Sequence, residues 1–183
     1  MTCSASLDRL IAPIDYENLH LVQLGAEHRE ALRAICPPDD PVWEIYPVRL
    51  SGEQFDTTFD GIVGNPDRRP FAIHEDGTLV GISGFLNIDL VSRVLEIGGT
   101  YMMPAVRGSG LNGRLKPLLI ARAFDSGFQR IEFRVDARNA RSLRAVEKLG
   151  AVREGVLRRQ RVTWTGFVRD TVVFSILHDE WPR

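Results

Sequence analysis

Residues 107 to 113 read Arg107-Gly108-Ser109-Gly110-Leu111-Asn112-Gly113, a glycine-rich stretch between a strand pattern and a helical one. Glycines at such a junction let backbone N–H groups approach a phosphate, and the N-terminus of the following helix adds about half a positive charge. The chemistry this spacing allows is the binding of a phosphorylated ligand. Charge is distributed accordingly. Residues 1–106 carry 7 basic against 16 acidic side chains, a net of −9, and 107–183 carry 16 against 8, a net of +8, which gives −1 overall. The positive half is dominated by arginine, since Lys116 and Lys148 are the only lysines. Such a half suits a polyanionic ligand, a nucleotide or a nucleic acid; alternatively, two oppositely charged halves attract across one core.

Gly108, Gly110 and Gly113 match the G-x-G-x-x-G fingerprint of dinucleotide sites, and Asp136 ends the next strand near where a ribose-binding acid would stand. Three features count against that reading. Pro104 interrupts the run between strand and first glycine. The 70 residues after Gly113 end in a hairpin, which leaves no room for the remaining alternating units. The upstream strands are also linked by hairpins. A P-loop is excluded because no G-x-x-x-x-G-K-[ST] occurs.

The elements that must position the loop follow from periodicity. Leu19 to Leu24 alternates as a strand, and Glu27 to Ile35 carries helix formers with Ala31, Leu32 and Ile35 on one side. Cys36-Pro37-Pro38-Asp39-Asp40-Pro41 must be a loop. Ser51-Gly52-Glu53-Gln54 reads as a capping box before a helix through Phe55, Phe59 and Ile62. Strands follow at Phe71 to His74, Leu79 to Phe85 and Val94 to Tyr101, the first two joined by a hairpin at Asp76-Gly77. After the loop, Leu115 to Phe124 is helical and ends at Gly127, although Pro117 predicts a kink or a late helix start. Arg130 to Val135 alternates as a strand, Asn139 to Leu149 is a helix with Gly150 at its C-terminus, and Val156 to Trp164 and Phe167 to Leu177 close the chain as a hairpin. The order β-α-α-β-β-β-α-β-α-β-β predicts an α/β (α+β) domain built on a mixed sheet of about seven strands with about four helices.

At 183 residues, 44% hydrophobic and 26% charged, the chain has the composition of one ordinary globular domain, able to bury roughly 70% of its unfolded surface. Cys3 and Cys36 lack the spacing of a metal knuckle, so no metal is expected, and no apolar run approaches the ~20 residues that span a bilayer. Met1 to Leu10 has neither the basic region nor the apolar stretch of a signal peptide, so the expected setting is cytoplasmic.

Arg107-Gly108-Ser109-Gly110-Leu111-Asn112 resembles the [RQ]-x-x-G-x-[GA] acyl-CoA signature of the GNAT superfamily of N-acyltransferases. Leu95-Glu96-Ile97-Gly98 before the loop, Asn139 to Ser142 opening the next helix and Glu147 to Ala151 closing it agree. Glu154 to Arg158, Arg169-Asp170 and Ser175 to Leu177 are similar to the RimJ/RimL-like branch, which acts on ribosomal-protein N-termini. The resemblance covers most of the chain in order, densely from about 94 to 182, and implies one GNAT domain over 1–183. Within it, 36–63 would form the acceptor side and 94–150 the acyl-CoA core. Asn112 departs from the signature, which has Gly or Ala there, so its side chain must turn from the pyrophosphate or bond nearby.

The resemblance further implies that acetyl-CoA is the cosubstrate. The strand from Val94 splays from that at Arg130, pantetheine lies in the gap against the backbone of Met102 and Met103, and Arg107, Gly108, Ser109, Gly110, Leu111 and Asn112 take the pyrophosphate. Asn139 would contact the cofactor, although an N-cap asks for the same residue. Acetyl transfer needs a neutral amine, a donor to the oxyanion and a proton for the departing thiolate. Glu96 is the candidate base: strand alternation puts it on one face with Val94, Gly98 and Thr100, opposite Leu95 and Ile97, and burial would raise its pKa. Pairing with an arginine as a structural carboxylate is the alternative. The helix at 139–150 has no Tyr to serve as acid, so Ser142 is the candidate donor to the sulfur or positions the thioester, with a backbone N–H near Met102 for the oxyanion.

Trp43 and Tyr46 could wall the amine site or be ordinary core aromatics, and the Arg158-Arg159-Gln160-Arg161 cluster could attract an acidic peptide or an adenosine phosphate or be a solvated strand face. The expected function is transfer of acetyl from acetyl-CoA to a primary amine, on a protein N-terminus or a small molecule. The negative half would help form the amine site, which suits a cationic acceptor. A non-catalytic acyl-CoA sensor and a nucleic-acid-binding module are the alternatives, and the second lacks any recognised reading motif. No membrane partner is expected, and the resemblance allows a homodimer.

Overall fold

The structure is a computed structural model that describes residues 5–182; Cys3 lies outside the described residues. Among these, eight strands form one sheet: β1 (Ile14–Tyr16), β2 (Leu19–Gln23), β3 (Arg68–Glu75), β4 (Thr78–Asp89), β5 (Val94–Met102), β6 (Arg130–Asp136), β7 (Val152–Val162) and β8 (Val168–Leu177), in spatial order β1-β2-β3-β4-β5-β6-β8-β7. Five α-helices accompany them: α1 (Leu7–Ile11), α2 (Arg29–Ala34), α3 (Phe55–Val63), α4 (Leu111–Asp125) and α5 (Ala140–Lys148). The fold is the mixed α/β sheet expected, with two elements added at the start. A five-residue helix and a three-residue strand are too short to show a period; they form because Leu10 is fully buried, β1 pairs with β2, and Arg122 of α4 donates to the carbonyls of Arg9 and Pro13.

Every neighbouring pair in the sheet is antiparallel except β5–β6, which is parallel and pairs only over Val94–Glu96 with Arg130–Glu132. Beyond Glu96 the two strands separate, and the missing ladder leaves backbone groups of β5 facing an open gap. Antiparallel neighbours on both flanks rule out a doubly wound dinucleotide fold.

Alternation along β3 shows how the core is divided. Phe71 and Ile73 pack in a cluster with Leu95, Ile97, Ile131, Phe133 and the α4 residues Leu111, Leu115, Leu119 and Ile120. Ala72, between them, packs on the other face with Leu32, Trp43, Phe55, Phe59 and Tyr101. The sheet is thus buried on both sides, by α4 on one and by α2, α3 and the 36–50 segment on the other.

Two local expectations are corrected. Helix α4 starts at Leu111 and continues through Pro117 without a break. The bond that Pro117 cannot make would end on the carbonyl of Gly113, an exposed residue whose oxygen can be satisfied by water, so the chain has no cause to interrupt the helix. Ser51 makes no capping bond; its hydroxyl accepts instead from Arg49 Nε at 3.1 Å.

Candidate active site

A bulge in β5 decides which side chains meet in the gap. Gly84 pairs with Gly98 and Ile82 with Tyr101, so Ser83 alone opposes both Gly99 and Thr100. Gly99 has φ +62, a conformation that L side chains rarely adopt. Across this extra residue the alternation inverts. Glu96 faces away from Leu95, Ile97 and α4, whereas Thr100 turns toward α4 and Tyr101 toward Trp43. The expected grouping of Thr100 with Glu96 and Gly98 is therefore wrong, because period-two alternation fails at a bulge.

A cavity of about 450 Å³ occupies the splay. Glu96 lines it with a side chain only 12% exposed. Burial pushes its carboxyl pKa up from the usual range, opposed in part by the Arg134 guanidinium at 3.7 Å and by Asn87 Nδ2, which donates at 2.7 Å. The two readings of Glu96 meet here: it has an arginine neighbour, yet at a distance and with burial dominant, as a base requires.

The pyrophosphate-loop reading is modified at Arg107. Its guanidinium makes a two-pronged ion pair with Asp40, whose side chain is 1% exposed, and its Nε donates to Met102 O at 2.9 Å. Tyr101 Oη donates to the same carboxylate. The Arg107 side chain is thus a strut between the Pro-rich segment and the end of β5, engaged by a carboxylate rather than presented to a phosphate. The sequence offered no signal for Asp40, which stands in a loop 67 residues away.

The rest of the loop fits acetyl-CoA. Gly108 and Gly110 have φ +89 and +90 with open space where a Cβ would stand, and their amides donate to no protein acceptor among the described residues. Leu111 is buried beneath the loop as the first residue of α4, and Ser109 Oγ donates to Val106 O. Asn112 Oδ1 is buried without a partner among the described residues, in a residue lining the cavity, so a donor is wanted where the pattern would have a small residue. At the end of β5, Met103 N donates to Val80 O, so this N–H is engaged within the sheet. Alternation then turns Met102 N–H to the gap, as an added strand or an oxyanion would need.

Asn139 is the N-cap of α5, accepting from Ser142 N at 3.0 Å. Both residues line the cavity, and the Ser142 hydroxyl makes no bond to the described residues. Trp43 is 2% exposed, stacks on Tyr101 at 4.9 Å and also lines the cavity, so core packing and a place in the cavity wall coincide in it. Tyr46 packs edge-on against it and its hydroxyl donates to Thr100 O at the cavity wall.

Sequence reasoning passed over Lys116, which is buried in the cavity lining with Nζ donating to Thr100 Oγ1 at 2.7 Å and to Ser83 Oγ at 3.2 Å. Burial pushes its pKa down to about 7. Its place four residues before Ile120, inside the apolar stripe of α4, was a signal available in the sequence. Of the 158–161 cluster, the half-buried Gln160 and the exposed Arg161 line the cavity, carried there by a bulge that sets Leu157 opposite Thr171 and Arg161 opposite Arg169, whereas the exposed Arg158 and Arg159 do not. Arginines of the basic half thus line the cavity beside Glu96, which the separation of an acidic amine site from a basic phosphate site did not foresee.

A splayed parallel pair with a bulged strand, a glycine loop at a helix start and a buried carboxylate define the class of acyl-CoA-dependent transferases. The profile of the acetyltransferase (GNAT) domain matches residues 7–152, and the chain belongs to this family; it is an acyl-CoA N-acyltransferase. The structure is similar to a probable GNAT-family acetyltransferase from Chromobacterium violaceum ATCC 12472, at 32% identity and TM-score 0.89 over 98% of both chains. A putative acetyltransferase from T. thermophilus is similar at 33% identity and TM-score 0.84, over 93% of this chain and 91% of that one. Mycobacterium smegmatis RimJ, in complex with CoA-disulfide, shares the fold at 21% identity and TM-score 0.78, over 94% and 88%. Among curated proteins none matches. No helix among the described residues is long and apolar enough to cross a membrane.

Proposed function

We propose that the protein transfers acetyl from acetyl-CoA to a primary amine by direct attack in a ternary complex, as a RimJ/RimL-like enzyme whose acceptor is a protein N-terminus or a small molecule. The observation that carries this reading is the buried Glu96 at the point where β5 leaves β6, beside a cavity that reaches Arg107 and Asn112 on either side of the glycine loop. The loop amides and the start of α4 hold the phosphates, and Asn112, Asn139 and the Met102 N–H orient the pantetheine arm. Glu96 accepts the proton that the amine loses as its nitrogen bonds to the thioester carbon. The carbon–sulfur bond breaks, and the departing thiolate takes a proton from the Ser142 hydroxyl, which regains one from solvent. Met102 N–H, turned to the gap, is the donor for charge that develops on the carbonyl oxygen. With a serine rather than a tyrosine on α5 beside the sulfur, the rate comes chiefly from holding two reactants in line.

Two measurements test this. Acetyl-CoA at about 100 times its Kd stabilises the fold by roughly 2.7 kcal/mol, seen as a rise in Tm. An acceptor screen with thiol release as the readout then finds an amine that is consumed with acetyl-CoA. Absence of any Tm shift at millimolar acetyl-CoA defeats the reading, and a shift without release on any amine leaves the chain a sensor instead.

A further inference from the structure

The face of the sheet that carries Glu96 holds more positive charge than its own carboxylates can neutralise. Arg68 extends from the start of β3 and its Nη2 lies 3.1 Å from where a Cβ on Gly99 would stand, while Glu96 Oε1 lies 2.9 Å from the corresponding point on Gly98. The guanidinium and the candidate base therefore sit over consecutive residues of β5. Arg169 of β8, 6% exposed, spends its Nε on Thr171 Oγ1 at 3.1 Å and has no carboxylate within ion-pair distance among the described residues. Arg161, set opposite Arg169 by the bulge in β7, is likewise without an ion pair among them, as is Arg68.

The nearby carboxylates are already committed. Asp136 is held by Arg138 Nη2 at 2.8 Å, Glu132 by Arg130 and Arg134, and Asp40 by Arg107. Burial pushes the pKa of Arg68 and of Arg169 down, and the charge of Glu96 near both and of Asp136 near Arg169 offsets that only in part. Arg68, Arg161 and Arg169 line the cavity beside Glu96, whereas α4, which the glycine loop opens, packs against Leu95 and Ile97 on the other face of β5.

Resting on the acetyltransferase reading above, we infer that the acceptor is an amine that also carries an anionic group, a carboxylate or a phosphate, which Arg68, Arg161 and Arg169 hold while its amine lies at Glu96. A guanidinium is the side chain suited to planar, two-pronged recognition of either anion. The same cluster disfavours a polyamine, whose second cation would approach uncompensated arginines.

The test uses the full chain with acetyl-CoA and acceptors paired by size: amino acids against their amides, short peptides with an acidic second residue against the matching glutamine peptides, and 2-aminoethyl phosphate against ethanolamine. The expected result is a kcat/KM at least tenfold higher for the anionic member of one pair, and which pair responds tells a carboxylate from a phosphate. Arg68→Gln and Arg161→Gln are expected to collapse that ratio through KM, with acetyl-CoA affinity retained. Arg158→Gln, outside the cavity lining, is expected to preserve the ratio. Binding of each member in the presence of coenzyme A is measured by calorimetry alongside. Spermidine or the neutral members turning over as well as the anionic ones overturns the inference and leaves the transferase reading intact. Failure of every anionic member to bind also overturns it. Loss of acetyl-CoA binding itself would instead defeat the parent reading.

Discussion

Glu96 shows how much one residue's chemistry depends on its shell. A carboxylate takes a proton from an amine effectively when its pKa is lifted toward the working pH, and here burial lifts it while Arg134 and Asn87 hold it back. Glu96→Gln is therefore expected to lower kcat roughly 10²- to 10⁴-fold, with acetyl-CoA affinity unchanged. Asn87→Leu removes a bond to the charged form, so the acidic limb of the kcat/KM profile is expected to move to higher pH. An unshifted limb in that variant would assign the titration to another group. Glu96 was legible in the sequence, because four residues of strand pattern suffice to place it. Asn87 and Arg134 were not: the first approaches from the neighbouring strand and the second across the parallel pair, contacts that exist only once register is fixed.

At the scale of elements, the strands and longer helices were legible from periodicity, whereas the devices that shape the site are departures from it. The bulge at Gly99 is one. Gly99→Val forces a β-branched residue into a positive φ and crowds Arg68, which is expected to cost about 1–2 kcal/mol of stability and to abolish turnover as Thr100 and Tyr101 lose their facing. Urea unfolding and a thiol-release assay read the two effects, and full activity in a folded variant would show that the inversion is dispensable. The Asp40–Arg107 strut is another. It joins a Pro-rich loop to the phosphate loop through a nearly inaccessible carboxylate, so Asp40→Asn leaves a partly buried guanidinium unpaired. The expected loss is about 3–5 kcal/mol, measured by denaturant titration, and a loss near zero would mark the pair as replaceable by water. The sequence supplied both residues, but a contact spanning 67 positions has no local signature.

For the whole molecule, the split into −9 and +8 halves described the chain and not the folded charge pattern, since basic residues of the second half surround the Glu96 carboxylate at the centre of the sheet face. Lys116, by contrast, is a charge placed in the apolar layer between α4 and the sheet, and its burial makes global stability depend on pH. Its folded pKa is about 7 against an ordinary 10.5, so between those values the unfolded chain binds a proton that the folded one does not. Unfolding free energy must therefore rise with pH across that window, by up to about 1.4 kcal/mol per unit, and below pH 7 the full penalty of a buried ammonium is present. Lys116→Met removes the titrating group while Ser83 and Thr100 keep each other as partners at 2.7 Å. The variant is expected to exceed the parent in stability most at about pH 6, with the advantage shrinking steadily toward about pH 10 in urea unfolding series on the two proteins. Curves that stay parallel over that range would mean that Lys116 remains charged throughout, held by water or by Glu96 more strongly than its burial allows.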